Sequence, residues 1–389
     1  MNIKKVCVIT GSRAEYGLLK LTISEISKSD ELDLQLIVTG SHLSESFGNT
    51  FKEIEQDGFR INKKLRILTD DESSLGILKS ISDSTTQFAE AYQELMPDLV
   101  LVLGDRYEIF SASYTAYILR IPIAHIHGGE KTEGAYDEAF RHSITKMSRM
   151  HFVSTEEYRK RVIQLGESPE FVFNYGAPGV EALKKIKLYT KENLENKINL
   201  RLKDKNVLIT YHPETLNQDL SPKEQINQLL HAIQDFRDIN FIFTKANADS
   251  GGITINNQIE EFVNSYPNAY LYSSLGQMNY LSLLPYVDGV IGNSSSGIIE
   301  VPSFNIPTIN IGRRQEGRIS AESVINVSTD SEKIKKAIEE IYEKGFYKDY
   351  KNVTNPYDGG ETSKKIINEI KKSNCDFGKA KSFYDLHEQ

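Results

Sequence analysis

The sequence is poor in the residues that mark zinc-knuckle, secreted and membrane proteins. Its 389 residues include only two cysteines, Cys7 and Cys375, and no tryptophan. Cysteines so far apart lack the CxxC spacing of a zinc knuckle, and their scarcity suits a reducing compartment. No apolar run approaches the roughly 20 residues that a membrane-spanning helix needs, and the first apolar run is too short for a secretory signal. We therefore expect a cytoplasmic protein without a membrane partner.

Positively charged residues are outnumbered by negatively charged ones. The net charge is −8, from 46 Lys and Arg against 54 Asp and Glu, whereas a duplex nucleic-acid binder needs a basic surface to neutralise phosphates. We therefore expect no nucleic-acid partner, while a local basic pocket for a small phosphate ligand stays open. Apolar residues make up 39% of the chain, as in ordinary globular proteins. A chain of this length predicts two domains rather than a single core.

Short apolar runs rich in Val, Ile and Leu alternate with helical patterns. Runs that are apolar on both faces are typical of buried parallel strands. They form two sets, separated by a lysine-rich segment at 183–205: VCVIT, LQLIVTG, DLVLVLG, IPIAHI and MHFVST, then NVLITY, NFIFTK, AYLYSS, VDGVIGN and IPTINIG. The pattern predicts an α/β protein with two doubly wound Rossmann-like domains, 1–180 and 181–360, and a C-terminal helix at 361–389 that packs back on the first. Because such sheets bind ligands at the carboxyl ends of their strands, we expect a ligand in a cleft between the domains.

Charged residues follow two strands of the first predicted domain. In TGSRAEYG, Gly11 permits close backbone approach and Arg13 lies at a helix N-terminus, where an anion is favoured. A surface arginine beside a turn is the alternative. In GDRYE, Asp105 and Arg106 directly follow a strand end, and a plain helix N-cap is the alternative for the aspartate. Neither motif is a GxGxxG or a Walker loop.

The stretch HIHGGEKTEGAYDEAFRH, residues 125–142, is dense in ionisable side chains. Strand alternation puts His125 and His127 on the same side of the chain. With Glu130 or Asp137 they have the ligand types of a zinc site. A hydrogen-bonded core histidine is the alternative for His125.

A helical pattern follows in the same stretch. Residues 137–150 have apolar side chains at helical spacing. This spacing pairs Asp137 with Arg141 one turn later. Both side chains are candidates for a site at the strand ends, and a solvated, salt-bridged helix face is the alternative.

Two strand ends of the second predicted domain carry polar residues. In YHPET, His212 follows a strand, where a histidine can protonate or hydrogen-bond a phosphate leaving group; a simple turn is the alternative. IGNSSSGIIE follows another strand and places hydroxyls and backbone N–H groups together, which favours a phosphate or diphosphate, with an unliganded serine cap as the alternative. Glu300 lies one helical turn further, within reach of ribose hydroxyls. The predicted cradle is Ser294, Ser295, Ser296 and Gly297, and the next strand is followed by Arg313, Arg314 and Arg318.

Five motifs occur in order over nearly the whole chain. They are TGSRAEYG, GDRYEIFSA, HIHGGEKT with DEAFRHSITKMS, YHPET and IGNSSSGIIEVPS. In this order they resemble the hydrolysing UDP-N-acetylglucosamine 2-epimerases of bacterial sialic acid synthesis. The resemblance implies a glycosyltransferase-B architecture, and it implies conversion of UDP-N-acetylglucosamine and water to N-acetylmannosamine and UDP through a 2-acetamidoglucal, without a metal or other cofactor. The same chemistry on UDP-2,4-diacetamido-2,4,6-trideoxy-glucose is the close alternative.

The resemblance also implies roles for single residues. The nucleotide would be bound by Arg13, His212, the serine cradle, Glu300 and, at the uracil, Tyr272, Gln277 or Tyr280. Arg106 and Arg141 would assist in substrate binding. Many relatives read HIEGGE where this chain reads HIHGGE, so His127 stands at a glutamate position. The acid and base therefore stay open among Asp105, His127, Glu130 and Asp137.

Two other classes of function remain open at this point. The same architecture serves glycosyltransferases, which release UDP only with an acceptor. It would also serve a UDP-sugar binding protein without turnover. The resemblance further implies a homodimer or a larger homo-oligomer.

Overall fold

The runs of Val, Ile and Leu form the strands of two parallel sheets, and the helical patterns form the connecting helices. The computed structural model describes residues 3–45, 48–68, 74–131, 136–214, 219–246, 251–343, 353–373 and 381–386. The strands are β1 (Lys4–Thr10), β2 (Leu32–Thr39), β3 (Lys63–Leu65), β4 (Leu99–Leu103), β5 (Ile123–Ile126), β6 (Met150–Val153), β7 (Val172–Asn174), β8 (Asn206–Thr210), β9 (Asn240–Thr244), β10 (Ala269–Tyr272), β11 (Gly289–Gly292), β12 (Thr308–Ile311) and β13 (Val324–Val327). The α-helices are α1 (Arg13–Ser27), α2 (Phe51–Gln56), α3 (Ser74–Leu95), α4 (Tyr107–Ile118), α5 (Tyr136–Met147), α6 (Glu156–Gln164), α7 (Pro178–Lys185), α8 (Lys191–Ile198), α9 (Pro222–Ile233), α10 (Gly252–Ser265), α11 (Gly276–Leu283), α12 (Ser295–Ile299), α13 (Ser331–Tyr342) and α14 (Thr362–Lys372).

The first sheet belongs to a unit formed by Met1–Ala182 with Tyr357–Gln389. Its seven strands are parallel, in the order β3-β2-β1-β4-β5-β6-β7. Alternate side chains of β1 enter two hydrophobic cores, with Val8 in one and Ile9 in the other, which is why this strand is apolar on both faces. The strand order reverses between β1 and β4, and open α/β sheets bind ligands at such a reversal.

The second sheet belongs to the unit Leu183–Pro356. Its six strands are also parallel, in the order β10-β9-β8-β11-β12-β13, and the order reverses between β8 and β11. Leu208 and Ile209 of β8 again enter separate cores. The predicted fold class, two doubly wound α/β units, is confirmed. No helix within the described ranges is both long and apolar enough to cross a membrane.

The C-terminal helix is shorter than the predicted 361–389. α14 ends at Lys372, and residues 381–386 are not helical. The apolar helical spacing ends at Ile370, which is buried in a core of the first unit. Residues 374–380, including Cys375, lie outside the described residues, while Cys7 is buried and burial raises the pKa of its thiol.

Candidate active site

Two buried carboxylates meet where β1 and β4 end. Glu15 of α1 and Glu108 of α4 have side chains that are 8% and 0% exposed. Gly11 lies between them: its N–H donates to Glu15 Oε2 at 2.7 Å, and a Cβ on it would come within 2.7 Å of Glu108 Cγ. Burial, followed by the charge of Glu108, raises the pKa of Glu15 to about 8. The pair therefore retains a proton at neutral pH.

Replacing Glu15 with glutamine should flatten the alkaline loss of stability. Because the folded pKa of about 8 lies above the ordinary 4.5, the protonated form stabilises the fold, and that contribution is lost as pH rises through this interval. Glutamine keeps an acceptor for the Gly11 N–H and cannot ionise. At the alkaline end E15Q should be more stable than the wild type by on the order of 1 kcal/mol, measured by urea unfolding across the pH range. The control E90Q replaces an exposed glutamate and should show the same pH dependence of stability as the wild type. If the stability of E15Q falls with pH in parallel with the wild type, the raised pKa of Glu15 is contradicted.

The arginines predicted at these strand ends lie in different surroundings. Arg106 Nε donates to Glu108 Oε1 at 2.7 Å and is 4.0 Å from Glu15 Oε1, so its charge partly neutralises the carboxylate pair. Arg13 begins α1 with a side chain 53% exposed, and its Nε lies 3.0 Å from Glu53 Oε1. A contact of Arg13 with a diphosphate stays a prediction.

Arg141 of α5 is the buried link between the segments after β4 and β5. Its side chain is 3% exposed and forms ion pairs with Asp105, and with Glu138 at 2.7 Å. It also donates from Nη1 to the Glu130 carbonyl at 2.9 Å. The guanidinium turns inward to Asp105 and Glu138, and its charge acts to lower the pKa of Asp137. A direct pairing of Arg141 with Asp137 stays a prediction.

Asp137 lies in the first turn of α5, next to this network. Burial, followed by the charge of Asp105, raises the pKa of Asp137 to about 6, while Arg106 and Arg141 act in the opposite direction. Asp105 is itself engaged by Arg141. The two aspartates that were predicted as acid and base therefore differ: Asp105 is held in an ion pair, and Asp137 exchanges a proton near neutrality.

His125 and His127 do not form the pair that a zinc site requires. His125 is fully buried, with Nε2 donating to the Gly104 carbonyl at 2.9 Å and Nδ1 accepting from Thr145 Oγ1 at 3.2 Å. Burial lowers the pKa of His125 to about 3, so it is a neutral core histidine with both ring nitrogens engaged. His127 instead lies 2.6 Å from Glu130, between Nδ1 and Oε1. Among the described residues, no group of three or more His, Cys, Asp or Glu is arranged to hold a metal ion.

The sequence reasoning assigned no role to three ionisable groups of this region. Glu15 and Glu108 stand in the first turns of helices that follow adjacent strands, and His42 lies just after β2. His42 is buried between the hydroxyls of Thr10 and Thr50, at 3.0 and 2.8 Å, and burial lowers its pKa to about 4. The segment TGSHLS at the end of β2 resembles TGSRAE at the end of β1. His42 could therefore have been found from the sequence, by looking for polar residues after β2 as after the other strands.

In the second unit, Asn293 fastens the segment after β8 to the end of β11. The Asn293 side chain is fully buried; its Oδ1 accepts from the His212 N–H at 2.7 Å and its Nδ2 donates to the His212 carbonyl at 2.8 Å. Arg314 and Gln315 donate to the Asn293 carbonyl at 3.1 and 2.8 Å. This clamp fixes the backbone of His212, whose predicted role at a phosphate stays a prediction.

Replacing Asn293 with alanine should destabilise the second unit by about 1–3 kcal/mol, because a buried N–H and a buried carbonyl of His212 lose their partners. Thermal unfolding of N293A against the wild type checks this. The exposed residue Asn196 on α8 supplies the control N196A. Unchanged unfolding of N293A would mean that the clamp contributes nothing.

The predicted serine cradle forms a short turn. Ser294 caps α12 by accepting from the Ser296 N–H at 3.4 Å, and Ser296 Oγ donates to Glu300. The Tyr280 hydroxyl therefore donates to Ser296 Oγ, at 2.7 Å, and burial raises the pKa of Glu300. Ser295 opens the helix, and Gly297 is required by packing, because a Cβ there would come within 2.7 Å of Thr308 Cγ2.

The residues predicted to line a uracil are only partly free to do so. The Tyr272 hydroxyl donates to the Ile198 carbonyl at 2.8 Å, and its ring packs against a core of the second unit. Gln277 is exposed in the first turn of α11. Contact of either side chain with a base stays a prediction.

Both strand-order reversals thus carry polar side chains, with acid and base groups in the first unit and hydroxyls in the second. The sequence matches the family described as UDP-N-acetylglucosamine 2-epimerase over residues 24–371. The chain belongs to this family. Polysialic acid biosynthesis protein P7 of Escherichia coli is 43% identical to it over 391 residues, covering 99% of this chain and 98% of the relative.

Two further relatives of the epimerase family extend the comparison. The GDP/UDP-N,N'-diacetylbacillosamine 2-epimerase (hydrolyzing) of Campylobacter jejuni is 42% identical over 389 residues, covering 99% of this chain and 100% of the relative. The crystal structure of a UDP-GlcNAc 2-epimerase from Neisseria meningitidis bound to UDP-GlcNAc has a TM-score of 0.82 at 21% identity, covering 95% of this chain and 100% of that one. The structural likeness shows that the fold is that of the epimerase family.

Proposed function

We propose that the protein is a hydrolysing 2-epimerase of a UDP-linked 2-acetamido sugar. The observation that carries the proposal is the acid–base cluster after β1, β4 and β5, in which the pKa of Asp137 is raised to about 6. A carboxyl group that titrates near neutrality can give and take protons during turnover. Family membership supplies the reaction class.

The proposed reaction makes two demands on the protein. A base removes the proton at C2 while UDP leaves from C1, which gives a 2-acetamidoglucal; water then adds at C1, and a proton returns to C2 from the opposite face. The acid and base come from Asp105, His127, Glu130 and Asp137, and Arg141 holds Asp105 and the Glu130 backbone in place. Side chains held by such contacts need little reorganisation during the reaction.

The leaving diphosphate needs hydrogen-bond donors and positive charge. We propose that the cradle supplies the donors and that Glu300 binds the ribose. His212, held by Asn293, and Arg13 would contact the phosphates. Donors aimed at the departing diphosphate stabilise charge that develops only in the transition state.

The donor sugar is proposed in two forms. UDP-N,N'-diacetylbacillosamine, the 2,4-diacetamido-2,4,6-trideoxy sugar, comes first because a relative 42% identical over its full length carries that substrate in its name. UDP-N-acetylglucosamine comes second, supported by the family description and by the likeness to a polysialic acid biosynthesis protein. The second donor would give N-acetylmannosamine for sialic acid synthesis.

Incubation of the purified protein with each donor in D2O tests the proposal. We expect release of UDP and of the 2-epimeric free sugar with deuterium at C2, and faster turnover of the diacetamido donor. Nuclear magnetic resonance of the product gives both the configuration and the isotope at C2. Addition of EDTA should leave the rate unchanged, because the proposed steps use no metal.

Other results would favour the other functions. UDP release that requires an acceptor would indicate a glycosyltransferase, and binding of the donor without any turnover would indicate a UDP-sugar binding protein. Retention of hydrogen at C2, or release of the unepimerised sugar, would overturn the proposal. Faster turnover of UDP-N-acetylglucosamine would reverse the order of the two donors only.

A further inference from the structure

His127 and Glu130 form a buried pair in the turn after β5. His127 Nδ1 lies 2.6 Å from Glu130 Oε1, and the two side chains are 12% and 7% exposed. We propose that this pair is a catalytic dyad, in which His127 Nε2 removes the C2 proton of the sugar and Glu130 positions the imidazole. The inference rests on the proposed function and assigns the base that the proposed function leaves open.

The geometry of the pair determines the tautomer of His127. An ionised carboxylate only accepts hydrogen bonds, so the ring nitrogen facing it must carry the proton. With Nδ1 protonated, a neutral imidazole has its lone pair on Nε2, which makes Nε2 the proton acceptor. A carboxylate behind the ring also stabilises the imidazolium that forms when Nε2 is protonated.

His127 Nε2 is the nitrogen that the protein leaves for chemistry. Within the described residues it is buried and has no hydrogen-bond partner. Buried polar groups are nearly always paired, and each exception needs an explanation, such as strain, a bound water or a catalytic role. His125 makes the contrast, because both of its ring nitrogens are engaged by the protein.

The backbone at His127 is also strained. Its φ is +68°, in the left-handed region that non-glycine residues seldom adopt. Such strain persists where the surrounding structure enforces it, and it concentrates at functional sites. Here the turn directs the ring toward Glu130 three residues later.

Several groups hold the dyad in place. Ser154 Oγ donates to Glu130 Oε1 at 3.4 Å, and Arg141 donates to the Glu130 carbonyl at 2.9 Å. Arg161 donates to the Gly129 carbonyl in the same turn. Glu130 is thus contacted from α5 and from the segment after β6, while α6 holds the residue before it.

The proposed step moves one proton from C2 of the sugar to His127 and releases UDP. Neutral His127 takes the C2 proton on Nε2 and becomes an imidazolium, while Glu130 stays ionised. The electrons of the C2–H bond form the C1–C2 double bond, and those of the C1–O bond leave on the UDP oxygen. The proton that later arrives at C2 comes from a different group, for which Asp137 is the candidate. The protons carried by His127 and by Asp137 can each exchange with solvent.

The variant H127N isolates the proton-accepting nitrogen. Asparagine tolerates a left-handed backbone, and its side-chain amide can donate to Glu130 as Nδ1–H does, but it offers no basic nitrogen. We expect UDP release to fall by about 10²- to 10⁴-fold, with UDP affinity by calorimetry and the thermal midpoint close to wild type. The exposed His231 supplies the matched control H231N, which should turn over normally.

The variant E130Q tests the positioning role. Glutamine can still accept from Nδ1–H but cannot stabilise the imidazolium, so we expect turnover to fall and the primary isotope effect with C2-deuterated donor to rise as proton transfer becomes slower. A merely structural role for Glu130 would lower stability and leave the isotope effect unchanged.

The outcomes separate the dyad from the proposed function. A wild-type protein that releases no UDP from either donor defeats the proposed function. If the wild type epimerises and folded H127N keeps UDP release within about tenfold of it, only the dyad is overturned. An unchanged isotope effect in a folded E130Q likewise overturns the role of Glu130.

Discussion

Replacing Asp137 with asparagine is expected to lower turnover of the UDP-sugar by about 10²- to 10⁴-fold, the usual contribution of a positioned acid or base. Asparagine keeps the size of the side chain and can neither give nor take the proton. The wild type should show a change of kcat near pH 6, where Asp137 titrates, and the residual activity of D137N should lack it. Steady-state assays of UDP release over a pH series measure both effects.

The same substitution is expected to stabilise the protein. The folded pKa of Asp137, about 6, lies above its ordinary 3.8, so the ionised form is disfavoured in the fold. The stability that the proton provides is lost as pH rises through this interval and stays lost above it. D137N should therefore unfold at higher urea than the wild type at neutral pH, by about 1–2 kcal/mol after allowance for partial exposure, and similarly to it below the interval.

The exposed residue Asp83 on α3 supplies the control D83N, which should change neither activity nor stability. A D137N protein with wild-type turnover would remove Asp137 from the proton transfers. A D137N protein that is less stable at neutral pH would mean that the carboxylate is favoured by the fold, contrary to the direction of its pKa shift.

Replacing Arg141 with methionine is expected to cost about 3 kcal/mol of stability at neutral pH, because removing one partner of a buried ion pair leaves the other charge uncompensated. Asp105 and Glu138 lose their cation, and the Glu130 carbonyl loses its donor. The loss should shrink as pH falls, since protonated carboxyls no longer need the cation. Urea unfolding of R141M over a pH series measures this.

Turnover should fall with stability in R141M, because the same guanidinium fixes the segments after β4 and β5. The matched control is R201M, since Arg201 pairs with Glu195 but is 78% exposed, and exposed pairs contribute about 0–1 kcal/mol. An R141M protein as stable as R201M would contradict the central place of Arg141 in the network.

The fold could be predicted from the sequence to the extent that strands are buried on both faces. β1, β4 and β8 are continuous apolar runs because each packs against two cores. The strands that the sequence reasoning missed, β3, β7 and β13, lie at sheet edges. An edge strand is short and partly exposed, as the sequence of β3, Lys-Lys-Leu, shows, so it lacks the apolar signal.

The candidate site could likewise be predicted in part. The sequence by itself determined which side chains follow the strands, because parallel strands bring their carboxyl ends to one edge of a sheet. Only the tertiary structure decided their states. Arg141 meets Asp105 from 36 residues away, Glu15 and Glu108 share a buried space, and His127 differs from His125 two residues earlier. Protonation depends on desolvation and on neighbouring charges, and those are set by residues distant in the chain that folding brings within a few ångströms.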